Sequence, residues 1–93
     1  MMKRLTANKT KMIRLCREYG LAPKDALFTK VYRSRTWWLE WLDVQSGIWK
    51  VTFMACAGKP MLTITNGLKD EVKIIPMALL EQLGMIETVE VSL

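Results

Sequence analysis

Ninety-three residues, 51% apolar and 25% charged, set the scale of one small folded unit rather than a disordered tail. The chain has no histidine, which removes the usual acid–base group at neutral pH and the commonest metal ligand. No apolar run reaches the ~18 residues of a membrane span. The net charge of +5 is uneven: residues 1–35 hold ten Lys/Arg against two acids (net +8), and residues 36–93 hold four against seven (net −3).

Taken in order, Met1 to Ala7 reads as a loose terminus. Its basic residues have no apolar stretch behind them, so no secretory signal is expected. Asn8 is a fair N-cap for a helix running to Tyr19, with Gly20 as its stop. Met12, Leu15, Cys16 and Tyr19 fall on one apolar stripe, and Lys11, Arg14, Arg17 and Glu18 on the far side. From Leu21 to Arg35 two patterns compete. Pro23 suits the first position of a second helix over Lys24 to Arg33. The alternation of Leu27, Thr29 and Val31 against Phe28, Lys30 and Tyr32 suits a strand, and a strand from about Leu27 to Arg33 is preferred.

Thr36 to Cys56 contains all four tryptophans and reads as a β-hairpin around a loop of Gln45, Ser46 and Gly47. That loop sets Val44 opposite Ile48 and Trp41 opposite Val51. One face then carries Trp37, Leu39, Trp41, Trp49, Val51, Phe53 and Ala55; the other carries Trp38, Glu40, Leu42, Lys50, Thr52 and Met54. An even-numbered loop would bury Lys50 among the tryptophans, at a cost of several kcal/mol for an unpaired ammonium, so an odd loop is favoured. Further on, Ala57–Pro60 is a turn, Met61–Thr65 a strand and Asn66-Gly67 a turn that a loop continues to Glu71. Val72–Ile75 is a strand, and Pro76 opens a short helix closed by Gly84. Thr88–Leu93 is the final strand.

These elements predict a single small α+β domain over residues 1–93, with the basic segment 1–35 packed on the β-rich segment 36–93. Its parts are an N-terminal amphipathic helix, a strongly twisted antiparallel sheet or small open barrel of about five strands, and a short helix before the last strand. Cys16 and Cys56 follow no disulfide or metal spacing and read as inert thiols in a reducing, cytoplasmic setting.

No catalytic constellation, metal set or cofactor loop is present in the sequence, so a non-enzymatic protein is expected. The one enzyme form left open is an RNA-cleaving toxin using Lys, Arg and Tyr. The basic third points to phosphate neutralisation, with Lys9, Lys11, Arg14, Arg17, Lys24, Lys30, Arg33 and Arg35 as candidate nucleic-acid contacts. Cys16 to Tyr32 resembles a helix-turn-helix in the spacing of Cys16, Gly20, Leu21 and Ala26. That resemblance implies that Lys24 to Arg33 enters a major groove. IIPMALLEQLGMIETVEVSL is similar to half of the AbrB/MazE swapped-hairpin DNA-binding domains, through Pro76, Leu79, Leu83, Gly84 and Val91. Thr88 stands where those domains usually have a turn glycine, and the basic residues before the proline are Lys69 and Lys73.

A second class of partner is a protein. Trp38, Leu42 and Met54 share the mixed face of the hairpin. Either the N-terminal helix packs over them or they form an exposed patch of the kind that marks an interface. The expected function is therefore a small regulatory protein that binds nucleic acid, DNA ahead of RNA. The alternative is an inhibitor, antitoxin or immunity-like factor, of phage or mobile-element type, acting on a protein or nucleoprotein. No membrane partner is expected, and unpaired strand edges invite a homodimer.

Overall fold

The computed structural model describes residues 2–31, 33–56 and 58–90. Its architecture starts from the tryptophan hairpin, β3 (Thr36–Asp43) and β4 (Gly47–Cys56). One side-chain acceptor and a glycine shape the loop. Asp43 Oδ1 accepts the backbone N–H groups of Gln45 at 2.8 Å and Ser46 at 3.1 Å, so the turn begins directly after Asp43, the last residue of the β3 ladder, which pairs with Gly47. Gly47 has φ +92°, a left-handed backbone that glycine adopts freely, and it begins β4. The loop is therefore Val44–Gln45–Ser46, and Trp41 pairs with Trp49 instead of Val51.

This corrects the expected register, but by an even number of positions. Every side chain keeps its face. Trp37, Leu39, Trp41, Val51 and Phe53 are buried, whereas Leu42 and Lys50 are exposed. Trp37 stacks on Phe53 at 5.5 Å, and Trp41 on Trp49 at 6.0 Å. Such pairs are worth about 0.5–1.5 kcal/mol beyond their burial.

The hairpin sits inside a five-stranded antiparallel meander in the order β2-β3-β4-β5-β6, with β2 at Leu27–Val31, β5 at Lys59–Asn66 and β6 at Lys69–Ile74. Residues 27–31 form an edge strand on β3, so the helix-turn-helix resemblance fails: its second helix does not exist. Strand β6 starts at Lys69, earlier than expected, because Gly67 at φ +60° turns the chain within Gly67-Leu68 and Asn66 pairs directly with Lys69.

Two helices cover one face of this sheet. In α1 (Lys9–Glu18), Asn8 Oδ1 accepts the Lys11 N–H at 2.9 Å, and Met12, Leu15 and Cys16 are buried. In α2 (Met77–Gln82), Leu80 is buried, and Met85 follows into the same core. These side chains join Trp37, Leu39, Val51, Phe53, Leu62 and Ile64 in one cluster.

The remaining strands make a second sheet. Strand β1 (Met2–Leu5) pairs antiparallel with β7 (Ile86–Val89). The chain therefore opens on a strand rather than a helix, and its last described strand joins β1 instead of the main sheet. Both findings correct the expected element order. Val91 and Leu93, expected on the last strand, lie outside the described residues. The fold is an α+β arrangement of an open five-stranded sheet, a two-stranded sheet and two short helices.

Candidate functional site

The two-stranded sheet brings charges from both ends of the chain together. Arg4 on β1 lies opposite Glu87 on β7, and its Nε donates to Glu87 Oε2 at 2.9 Å. Lys11, in the first turns of α1, reaches the same region and donates from Nζ to the Gly84 carbonyl at 2.7 Å. The Arg4 hydrogen bond, followed by the Arg4 charge and the nearby charges of Arg35 and Lys11, holds the Glu87 carboxyl below its usual range. Three cations thus act on one carboxylate.

Two clefts open at this junction. The larger, about 390 Å³, runs between β1–β7 and the β3–β5 strand ends. Lys3, Arg4 and Arg35 are the cations of its lining, and Leu5, Met77 and Ile86 are among its apolar residues. The smaller, about 230 Å³, shares Arg4, Leu5, Arg35 and Trp37 and adds Thr6, Lys30 and Glu87. The indole N–H of Trp37 is buried and has no hydrogen-bond partner. Arg35 has φ +48°, a left-handed backbone uncommon for a residue other than glycine.

The eight cations expected to contact nucleic acid do not share one surface. Lys11, Lys30 and Arg35 come to the junction. Lys30 lies directly across from Trp37, with its ammonium 5.9 Å from the ring centroid. Arg33 is exposed in the turn that also carries Arg35, and Lys9, Arg14 and Arg17 are exposed on α1. Lys24 lies elsewhere, beside Asp25, Leu42 and Val44 near the hairpin tip. The eight residues of β3 separate that tip from Arg35, a distance of roughly 26 Å for extended chain.

Lys3 and Arg4 were absent from the expected set because the first seven residues read as a loose terminus. A signal does exist: Arg4 and Glu87 are complementary charges on short segments that pair as strands. Their separation of 83 residues leaves nothing local to join them.

The second candidate surface is the outer face of the meander. The N-terminal helix was the expected cover for this face, but α1 packs on the opposite, tryptophan-rich face. Trp38, Leu42 and Met54 all lie on the outer face; Leu42 is 69% exposed, whereas Trp38 and Met54 are half-buried. Leu27, Ile48, Val72 and Ile74 extend the exposed apolar surface to both edge strands. Trp38 already has partners: its N–H donates to Glu40 Oε1 at 2.7 Å, and Lys50 Nζ lies 4.9 Å from its ring centroid.

Cys16 carries no reactive character, because burial pushes its thiol up to about 12. Among the described residues, no group of three His, Cys, Asp or Glu side chains is placed to hold a metal ion. No helix among them is long and apolar enough to cross a membrane. Comparison of the chain with protein-family models, curated proteins and solved structures found no match.

Proposed function

We propose that this protein binds nucleic acid as a small, non-enzymatic regulatory factor, gripping phosphate at the junction of β1, β7 and α1. The observation that carries the proposal is that Lys3, Arg4 and Arg35 line one cleft and Arg4, Lys30 and Arg35 the adjoining one, with Glu87 as the carboxylate between them. A surplus of cations beside open clefts is the electrostatic condition for phosphate binding by counterion release. The exposed Arg14 and Arg17 on α1 and Arg33 beside Arg35 extend the positive field. A cytoplasmic setting belongs to the same proposal, supported by the free, buried Cys16 thiol. The test is a salt-titrated gel shift on random duplex and single-stranded nucleic acid. Affinity is expected to fall steeply with salt; no binding even at low salt overturns the proposal.

The uncovered outer face favours a second reading: an inhibitor, antitoxin or immunity-like factor acting on a protein or nucleoprotein target. Affinity purification with wild type, Trp38→Ala and an Arg14→Glu/Arg17→Glu variant separates the two. A protein partner lost with Trp38→Ala but retained after charge reversal replaces the nucleic-acid reading.

A further inference from the structure

We infer that the larger cleft receives one unstacked nucleotide, its base against Leu5, Met77 and Ile86 and its phosphate on Arg4 and Arg35, so that the preferred ligand is single-stranded. This rests on the nucleic-acid reading above and names its substrate class.

Three observations support the assignment. First, a volume of about 390 Å³ lies within the range of sites that enclose a small ligand, ~300–1,000 Å³. Secondly, the lining combines the two kinds of group that a nucleotide requires, cationic and apolar. The cations Lys3, Arg4 and Arg35 and the apolar side chains of Leu5, Met77 and Ile86 line the same space. A purely phosphate-binding patch has no use for the apolar side chains, and a purely apolar ligand has no use for three cations. Thirdly, Arg35 is held in a left-handed backbone at the mouth shared by both clefts. Glycine or asparagine fits that conformation with less strain, and strained residues gather at binding sites.

The choice of single strand follows from access. In a duplex, the bases are paired and stacked inside the helix, and only the backbone faces a cleft of this kind. An unpaired base turns out at little cost and places its flat face on apolar side chains. The smaller cleft shares Arg4 and Arg35 and is lined also by Thr6, Lys30 and Glu87, and the adjoining sugar-phosphate passes along it.

The test uses the full chain, isotope-labelled for NMR, titrated separately with inorganic phosphate, a nucleoside 5′-monophosphate, a single-stranded oligonucleotide and its duplex. The mononucleotide and the single strand are expected to shift the Leu5, Met77 and Ile86 methyl signals. Phosphate alone is expected to shift the Arg4 and Arg35 signals and leave the Met77 and Ile86 methyl signals in place. The single strand should bind about tenfold more tightly than the duplex at equal salt, the scale of burying about 55 Å² of apolar surface. Met77→Trp, at a 48%-exposed position, fills the cleft without removing a cation. It should reduce single-strand affinity to the duplex level while the thermal transition shows the fold retained. Equal affinity for both polymers with unmoved methyl signals overturns the cleft assignment and leaves the nucleic-acid reading standing. If neither polymer binds at low salt, the nucleic-acid reading fails and the single-strand assignment fails with it.

Discussion

Adjacent strands of the meander are joined by short turns, such as Val44–Ser46 and Gly67-Leu68, so each pairing is made between neighbours in sequence. The β1–β7 sheet pairs Arg4 with Glu87 across 83 residues and has four residue pairs among the described residues. Among the described residues the meander supplies seven of the fourteen buried apolar side chains, including Trp37, Leu39, Phe53 and Leu62, whereas the two-stranded sheet supplies none and adds Leu5 and Ile86 only at the margin of the core. Stability and chemistry are therefore divided. The local sheet carries the packing; the non-local sheet gathers the charges that would bind a ligand.

The largest expected effect is in the meander. Phe53 is fully buried against Trp37, and Phe53→Ala should cost about 3–5 kcal/mol in urea unfolding. A loss as large on truncating Leu5 would break the comparison. Hydrogen exchange sharpens it further. Amides of β4, paired on both sides, should exchange only by global opening, and those of β1 and β7 by a cheaper local opening. Equal protection in both sheets would contradict the division.

A smaller effect is confined to alkaline pH. The Cys16 thiol ionises near 9 when unfolded and at about 12 when folded. Between those values the unfolded chain loses the proton and the folded chain keeps it, so stability falls as pH rises; below 9 the thiol contributes no pH dependence. The difference between wild type and Cys16→Ala across that window isolates the effect. The smallest effect lies at the charge cluster. Glu87 should titrate below its ordinary value, and Arg4→Gln should move the midpoint upward, as followed by carboxyl NMR. Because the folded-state value is depressed, the contribution of Glu87 to stability is present above its unfolded value and lost as pH falls through the folded one.

Much of the meander was legible because its information is local. The alternation of Trp37, Leu39 and Trp41 with Trp38, Glu40 and Leu42 assigns the faces, and the charge on Lys50 excludes the wrong parity. The two-residue register offset was not legible, since it depends on the Asp43 carboxylate accepting from Gln45 and Ser46. Nor could the pattern show which face α1 covers: a stripe of Met12, Leu15 and Cys16 fits either side of a sheet with apolar residues on both. The candidate site was the least legible part. Arg4 and Glu87 meet only after the whole meander has folded between them, and Lys24 and Arg35, close in sequence, lie at opposite ends of β3.

That last separation gives the most direct test. Arg35→Asn and Lys24→Gln each remove one charge from the same basic third, and asparagine suits the left-handed backbone at position 35. The measurement is the salt dependence of single-strand affinity for wild type and both variants. If phosphate is gripped at the β1–β7 junction, Arg35→Asn should reduce the slope of log affinity against log salt by about 0.7, one phosphate contact. Lys24→Gln should leave it unchanged. Equal slopes for the two variants would show that the positive charge acts without regard to position and would contradict the assigned site.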